Sequence, residues 1–311
     1  MILTLTLNPA VDTCYYVKTF QVNASNRSQR YYKTAGGKGL NVSRVLQQLG
    51  ASVVATGFLG GLTGQFIAKE LQKMALHSAF VPIKEDTRNC LAIVDEQGQQ
   101  TELLEAGPTI SPQEREQFLS LLTDLIEQEA IKVLTISGSL PGGLQKDFYK
   151  SIVEKAKAKK ILTLVDTSGE AFSEAIKASP YLIKPNLSEL EELLSKKIES
   201  EEDAAQALQE LQTFGIENSI LSLGAQGSMA RCGNALYRVQ IPSVEVKSPV
   251  GSGDAMIAGM AWAILRQECY EEMLRIGSTC GVVNAMNNKT GTLDMEQFST
   301  IYRQIVVKRL Q

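Results

Sequence analysis

Short apolar segments alternate with amphipathic segments along most of this chain of 311 residues. A brief apolar run indicates a buried strand, whereas apolar residues spaced three and four apart indicate a helix. The alternation predicts an α/β fold, with a mainly parallel central sheet between two layers of helices. The predicted strands are 3–7, 53–57, 133–137, 161–166, 181–184 and 219–223, and the predicted helices are 40–49, 64–74, 112–128, 147–158 and 202–214. Ser111 is the predicted N-cap of the third helix.

Two stretches depart from this alternation. Residues 13–22 with 29–33, and residues 89–95 with 99–105, have strand and hairpin patterns with no helix between them. We therefore expect a small β lid inserted at about 13–33 and 89–105. Because the rest contains no linker, repeat or low-complexity tract, we expect one domain over residues 1–311. The exposed face of such a lid is suited to pairing with a second copy in a homodimer.

Composition and charge exclude several classes of function. The formal net charge is -3 without a dense Lys/Arg run, which argues against nucleic acid or a membrane surface as the main partner. Five cysteines without a C-x-x-C pair indicate buried thiols in a reducing cytoplasm rather than disulfides or zinc. The single histidine, His77, has no neighbours suited to a catalytic triad or a metal site. These features favour a cytoplasmic protein that acts on a small molecule.

The segment Pro-Val-Gly-Ser-Gly-Asp-Ala at 249–255 opens an apolar helical run. Free backbone amides at a helix N-terminus attract anions, and Gly251 and Gly253 let a phosphate approach them closely. A carboxylate in the same turn, Asp254, is suited to take a proton from a hydroxyl that attacks the phosphate. The pairing suggests phosphoryl transfer. The alternative is an ordinary capped helix with an acidic first turn.

A second glycine cluster, Ala-Gly-Gly-Lys-Gly-Leu-Asn at 35–41, also precedes a helix. It is neither a P-loop nor a G-x-G-x-x-G fingerprint, which disfavours a nicotinamide-dependent dehydrogenase. Close backbone approach, the cation of Lys38 and the amide of Asn41 suit a polyhydroxylated ligand that carries an anion. The alternative is a tight turn between a strand and a helix.

Two strand ends carry weaker nucleotide signals. Asn186 and Glu189 share one face of a helix start, and such oxygen ligands suit Mg²⁺ held through water and phosphates. A helix-capping pair is the alternative. After the next strand, Ser222, Gly224 and Gly227 allow a nucleotide to lie against the backbone, or else form a plain turn.

Taken together, five ordered signatures make the chain resemble the PfkB-type carbohydrate kinases of the ribokinase superfamily along its full length. The resemblance implies a ribokinase-like α/β/α sandwich with a β lid, and ATP and Mg²⁺ as cofactors. The signatures are Asn-Pro-Ala-Val-Asp at 8–12, Gly-Gly-Lys-Gly at 36–39 with Asn41, Ser-Gly-Ser-Leu-Pro at 137–141, Asn186 with Glu189, and Gly-Ser-Gly-Asp at 251–254.

The resemblance also implies a role for each matching residue. Asp254 corresponds to the catalytic base, and the backbone at Gly251, Ser252 and Gly253 corresponds to the anion hole. The positions that match sugar contacts are Asp12, Gly36, Gly37, Lys38, Asn41 and Ser139. Those that match nucleotide contacts are Lys184, Asn186, Ser222, Gly224, Gly227 and Asn284, with Asn186 and Glu189 matching the motif that holds Mg²⁺ through water.

The resemblance further implies an acceptor that already carries a phosphate. Arg88 matches a lid arginine of members that accept phosphosugars, and Arg27 is a second candidate cation for that phosphate. Within the family, the chain is most similar to the branch that phosphorylates C1 of D-tagatose 6-phosphate in lactose and galactose catabolism. The similarity lies in the segments 33–42, 87–90, 100–105 and 249–254. Fructose 1-phosphate is the alternative acceptor. A catalytically silent sugar-phosphate sensor with the same fold is the alternative of a different class.

Overall fold

A computed structural model describes residues 1–28 and 30–310. Within these residues, ten strands form one central sheet in the order β14-β13-β12-β11-β10-β9-β8-β1-β4-β5. The sheet strands are β1 (Ile2–Thr6), β4 (Val53–Gly60), β5 (Ser78–Ile83), β8 (Val133–Ser137), β9 (Leu162–Asp166), β10 (Leu182–Ile183), β11 (Asn218–Ser222), β12 (Ser228–Cys232), β13 (Ala235–Gln240) and β14 (Val306–Arg309). All strands from β5 to β11 in this order pair in parallel.

Helices cover both faces of this sheet. They are α1 (Lys38–Gln48), α2 (Gly61–Lys73), α3 (Pro112–Gln128), α4 (Phe148–Ala158), α5 (Gly169–Ala175), α6 (Leu187–Leu194), α7 (Glu201–Leu211), α8 (Ser252–Leu265), α9 (Tyr270–Ala285) and α10 (Met295–Tyr302). Apolar side chains of α1, α2, α8 and α9 form one core, and those of α3 to α7 form the other. Successive residues of a strand point to opposite faces, so β1 contributes Ile2 to the first core and Leu3 to the second. The predicted three-layer α/β/α sandwich is confirmed.

Four further strands form the β lid. They are β2 (Ala10–Tyr16), β3 (Arg30–Gly36), β6 (Arg88–Val94) and β7 (Gln100–Leu104), in the order β3-β2-β6-β7. The first predicted strand was placed too far along the chain, because the backbone leaves the sheet after Tyr16 and turns at Asn23, which has a positive φ. Gln29, at the start of the second predicted strand, lies outside the described residues.

Predicted and observed elements differ most at one edge of the sheet. The antiparallel strands β12, β13 and β14 were missed. In each segment the apolar run is short or interrupted by a charged residue, namely Arg231 in β12, Arg238 in β13 and Lys308 in β14, unlike the continuous apolar runs that identified the parallel strands. Ser111, by contrast, caps α3 as predicted, because its hydroxyl accepts from the Glu114 amide while the Glu114 carboxylate accepts from the Ser111 amide.

Two further expectations from the sequence concern membrane spans and cysteines. In the part of the chain that the structure describes, no helix is both long and apolar enough to cross a membrane. The five cysteines of these residues are free thiols. Three are buried as expected, but Cys90 is half-buried and Cys269 is exposed.

Candidate active site

The N-terminus of α8 lies at the carboxyl edge of the parallel strands. Gly251 caps the helix with φ of 79°, a left-handed conformation that favours glycine. The first bond along the helix backbone runs from the Ala255 amide to the Gly251 carbonyl, so the amides of Gly253 and Asp254 face the open helix end. A β-carbon on Gly253 would lie 3.1 Å from Lys184 Nζ, which places that ammonium directly beside these amides. The helix end is thus a site of concentrated positive potential.

Asp254 lies in the first turn of α8 and is 5% exposed. Asn41 Nδ2, from α1, donates to Asp254 Oδ2 over 2.7 Å. Burial, together with repulsion from Asp166, raises the pKa of Asp254 to about 6, against the opposing attraction of Lys38 and Lys184. A carboxylate with a pKa near neutrality is ionised at physiological pH, yet it is basic enough to accept a proton from a reacting hydroxyl.

Asp166, at the end of β9, is a central charge that the sequence analysis missed. Its Oδ1 lies 3.7 Å from Lys38 Nζ and 3.6 Å from Lys184 Nζ. Burial alone would raise the pKa of Asp166, but the two ammonium groups outweigh it and hold the pKa below its ordinary value. The second oxygen, Oδ2, is buried without a hydrogen-bond partner in the described residues. Buried polar atoms usually have a hydrogen-bond partner, so this oxygen is suited to accept a hydrogen bond from a bound molecule.

The lid contributes a third carboxylate, which is half-buried. Asp12 on β2 lies against Gly36, where a β-carbon would come within 2.0 Å of its Oδ2, so a larger residue at position 36 would displace the Asp12 carboxylate. Burial raises the pKa of Asp12 to about 6, although attraction by Arg44, the Gly37 amide and Arg88 opposes the rise. Residues 35–41, the second glycine cluster of the sequence, connect the lid strand β3 to α1, and this connection is called the lid hinge below.

Residues 5–297 match the profile of the pfkB family of carbohydrate kinases. The chain belongs to this family. It is 44% identical over 310 residues to the tagatose-6-phosphate kinase of Staphylococcus epidermidis, with 99% of both chains covered. Phosphofructokinase-2 from Escherichia coli, in complex with substrates and products, superimposes with a TM-score of 0.91 at 29% identity, over 97% of this chain and 98% of that one. A possible 1-phosphofructokinase from Thermotoga maritima reaches 0.91 at 25% identity over all of both chains.

In this pfkB-family kinase the two strand-end motifs after β10 and β11 lie side by side. Asn186 caps α6 by accepting from the Glu189 amide, and Glu189 accepts from the Asn186 amide. An isolated parallel bridge joins Asn186 to Ser222. Gly224 and Gly227 both have positive φ in the exposed turn that follows. The capping pair and the nucleotide-side residues therefore form one rim. The cap uses only Oε2 of Glu189 and so leaves its Oε1, whereas the one side-chain oxygen of Asn186 accepts from both the Glu189 amide and Ser188 Oγ.

Asn284 lies near the end of α9 and is 1% exposed. Its Nδ2 donates to the Val250 carbonyl over 2.9 Å, and its Oδ1 accepts from the Gly291 amide over 2.8 Å. The side chain thus ties the loop before α8 to the loop after α9, and its polar atoms bond within the protein.

Two other predicted residues lie where the lid meets the sheet. Arg88 opens β6 and donates through Nη1 to the Glu105 carbonyl over 2.9 Å and through Nη2 to the Asn8 carbonyl over 3.1 Å. Ser139 Oγ, after β8, accepts from Asn8 Nδ2 over 3.2 Å. The guanidinium of Arg88 is therefore fixed near the lid hinge, at the same end of β2 as Ala10.

Arg27 is the one predicted residue that the structure does not bring to this group. It is exposed in the connection between β2 and β3, beyond Tyr16, and therefore at the end of the lid opposite to the hinge. A strand rises about 3.3 Å per residue, so the four residues from Asp12 to Tyr16 alone span roughly 13 Å.

No group of three or more His, Cys, Asp or Glu side chains in residues 1–28 and 30–310 is arranged to hold a metal ion by itself. Magnesium, however, is commonly bound through water and substrate phosphates with one or two carboxylates. The unpartnered oxygen of Asp166 and the capping pair at the adjacent strand end are consistent with such an outer arrangement.

Proposed function

We propose that this kinase transfers the γ-phosphoryl group of ATP to the C1 hydroxyl of D-tagatose 6-phosphate and so forms D-tagatose 1,6-bisphosphate. The observation that carries the reaction type is the buried Asp254 carboxylate, with its pKa of about 6, beside open amides at the N-terminus of α8. The acceptor follows from the full-length similarity to the curated tagatose-6-phosphate kinase.

The proposed chemistry is a direct displacement at phosphorus. The C1 oxygen forms a bond to the γ-phosphorus, the bond from that phosphorus to the bridging oxygen of ADP breaks, and the hydroxyl proton passes to Asp254. Asn41 holds Asp254 Oδ2, which leaves Oδ1 for the hydroxyl. The amides of Gly251, Gly253 and Asp254 stabilise the negative charge that spreads over the transferring group, whereas the Ser252 amide donates to the Pro249 carbonyl over 3.2 Å.

Charge around the donor comes from two lysines and the strand ends. Asp166 holds both Lys38 and Lys184, and Lys184, 6% exposed, lies beside the open amides of α8. In the proposed complex both ammonium groups offset the charge of the γ-phosphate. Asp166, Asn186 and Glu189 are the residues that would hold Mg²⁺, mainly through water. When bound, Mg²⁺ neutralises phosphate charge and aligns the phosphates. Ser222, Gly224 and Gly227 support the nucleotide, and Asn284 supports the loop that forms the anion hole.

At the acceptor, Asp12 and the backbone at Gly36 and Gly37 bind sugar hydroxyls, while Asn41 and Ser139 complete the pocket. Arg88 binds the phosphate already present on the sugar. Because Asn41 is engaged with Asp254, Asp12 is the better candidate to distinguish the C4 epimers. If the wrong epimer leaves Asp12 without one hydrogen bond, its binding free energy should be less favourable by about 1 to 3 kcal/mol.

We further propose that two copies associate through the lid and that the kinase acts in the cytoplasm, where ATP and sugar phosphates are formed. Tyr31 and Leu103 support the dimer. They are 62% and 65% exposed, and the strand register puts both on one face of the lid. Exposed apolar strand faces favour association.

The test is a reaction followed to its product. The protein is incubated with ATP, Mg²⁺ and D-tagatose 6-phosphate, ADP is measured, and the position of the new phosphate is found from its coupling to carbon in a ³¹P–¹³C NMR spectrum. We expect one ADP for each sugar bisphosphate, with the new phosphate on C1. Absence of ADP formation with any ketohexose phosphate would support the silent sensor instead.

A further inference from the structure

Arg44 is a buried cation on α1 that no motif assigned. It is 9% exposed and follows Asn41 by three residues, so the two side chains share one face of the helix. Its Nη1 donates to the Ala35 carbonyl, and its Nη2 donates to Asn41 Oδ1 and, over 3.2 Å, to the Thr290 carbonyl. These partners are protein groups, so the guanidinium has a structural reason to stay in place when substrates come and go.

The contact with Asn41 sets the direction of an amide. A primary amide has nearly the same shape after a half-turn, and its hydrogen-bond partners decide which end faces which way. Arg44 only donates, so it selects Oδ1 of Asn41, and Nδ2 must then face Asp254. A guanidinium fork is rigid and planar, which makes it suited to fixing such a geometry.

Arg44 also stands behind two carboxylates. Its attraction is the largest effect that opposes the burial of Asp12, and both Asp12 and Asp254 act on Arg44 in turn. The charged groups that face Asp254 are Asp166, Lys38, Lys184 and Arg44, and those that face Asp12 are Arg44, Arg88 and Glu102.

The third contact reaches the anion hole. Thr290, whose carbonyl Arg44 holds, packs so closely on Gly251 that a β-carbon there would lie 2.2 Å from Thr290 Cγ2. A β-carbon on Gly291 would lie 3.0 Å from Arg44 Nε. The guanidinium therefore joins the lid hinge, the start of α1 and the loop that supports Gly251.

We propose that Arg44 is a positioning residue for phosphoryl transfer: it fixes the Asn41 amide against Asp254 and supplies positive charge behind Asp254 and Asp12, without touching either substrate. The inference rests on the proposed role of Asp254 as the base. Arg44 thus contributes both geometry and charge. Arg44→Met removes both contributions, whereas Arg44→Lys removes the planar geometry and keeps the charge.

The experiment compares Arg44→Met, Arg44→Lys and the control Arg231→Met, a half-buried arginine on β12 that donates to Gln212. For each, kcat and KM for both substrates are measured from pH 5 to 9, together with the melting temperature. Arg44→Met is expected to lower kcat by up to about 100-fold, the scale for small misplacements of reacting groups, with little change in KM for ATP. Loss of the cation raises carboxyl pKa values, so the acid limb of kcat/KM should move up by about one pH unit.

Arg44→Lys keeps the charge but not the fork, so its acid limb should stay near that of the wild type while kcat remains reduced. If Arg44→Met does not fold, a double-mutant cycle replaces it. The effects of Arg44→Lys and Asn41→Ala on kcat are then compared with the effect of the double variant Arg44→Lys/Asn41→Ala. Residues that act through each other have non-additive effects on kcat. Additive effects would overturn the proposal.

Two further outcomes are distinct. A lower melting temperature with unchanged kcat and pH profile would make Arg44 purely structural and overturn the inference alone. If Asp254→Asn keeps wild-type kcat, the proposed base is wrong, whatever Arg44 does.

Discussion

Replacing Asp254 with asparagine should make the protein more stable and much less active. The folded-state pKa of about 6 lies roughly two units above the ordinary value of 3.8. At about 1.4 kcal/mol per unit, ionising this buried carboxyl at pH 8 costs the folded state about 3 kcal/mol. Asparagine carries no such cost, and its Oδ1 can still accept from Asn41.

The direction of the Asp254 pKa shift determines how the stability difference between the two proteins changes with pH. The cost is fully present above the folded pKa of about 6 and disappears as pH falls below the unfolded pKa of 3.8. The stability advantage of Asp254→Asn should therefore fall from about 3 kcal/mol at pH 8 to roughly half of that at pH 5. Turnover should fall by about 10²- to 10⁴-fold, the range for loss of a positioned general base.

The assay is urea unfolding of both proteins at pH 5 and pH 8, with kcat measured in parallel. Asp203→Asn is a matched control, because Asp203 occupies the same third position of its helix, α7, but is only partly buried and has a lowered pKa. That control should lose stability at pH 8 and keep its kcat. An Asp254→Asn variant that is less stable than wild type at pH 8, or equally active, would refute the reasoning.

Three other substitutions test the remaining groups. Arg88→Ala should raise KM for the phosphosugar at least about tenfold more than KM for ATP, because a charge-assisted bond to phosphate is lost; equal rises would mean that Arg88 only ties the lid to Asn8 and Glu105. Glu189→Gln should weaken the Mg²⁺ dependence by about 10- to 100-fold in a titration at fixed ATP, unlike Glu192→Gln on the exposed side of α6; superimposable curves would leave Glu189 as a helix cap. Because Asp12 and Asp254 both have pKa values of about 6, a plot of log kcat/KM against pH should have a slope above one below pH 6. Asp12→Asn should reduce that slope by about one, and an unchanged slope would show that Asp12 does not titrate in this pH range.

The parts of the site that could be predicted from sequence are those encoded by local patterns. Glycines before a helix mark where backbone amides are open, and an Asn and a Glu three residues apart mark a helix start, so Gly251 and Asn186 could each be identified as a candidate from sequence. The capping pair at Ser111 and Glu114 is equally local.

Asp166 and Arg44 could not be predicted this way. Asp166 ends an ordinary strand, and its importance comes from Lys38 and Lys184, which belong to other elements. Arg44 resembles a surface cation on an amphipathic helix and becomes buried only because α1 packs against α8 and the lid hinge. Arg27 shows the converse, since a plausible local match lies at the far end of the lid.

The most direct test of the account is a comparison of kcat/KM for D-tagatose 6-phosphate, D-fructose 6-phosphate and D-fructose 1-phosphate at saturating ATP and Mg²⁺. We expect the highest value for tagatose 6-phosphate, with measurable activity on fructose 6-phosphate, because the two sugars differ only at C4. A higher value for fructose 1-phosphate, which carries its phosphate at the opposite end and offers its C6 hydroxyl, would contradict the proposed acceptor and make the protein a 1-phosphofructokinase.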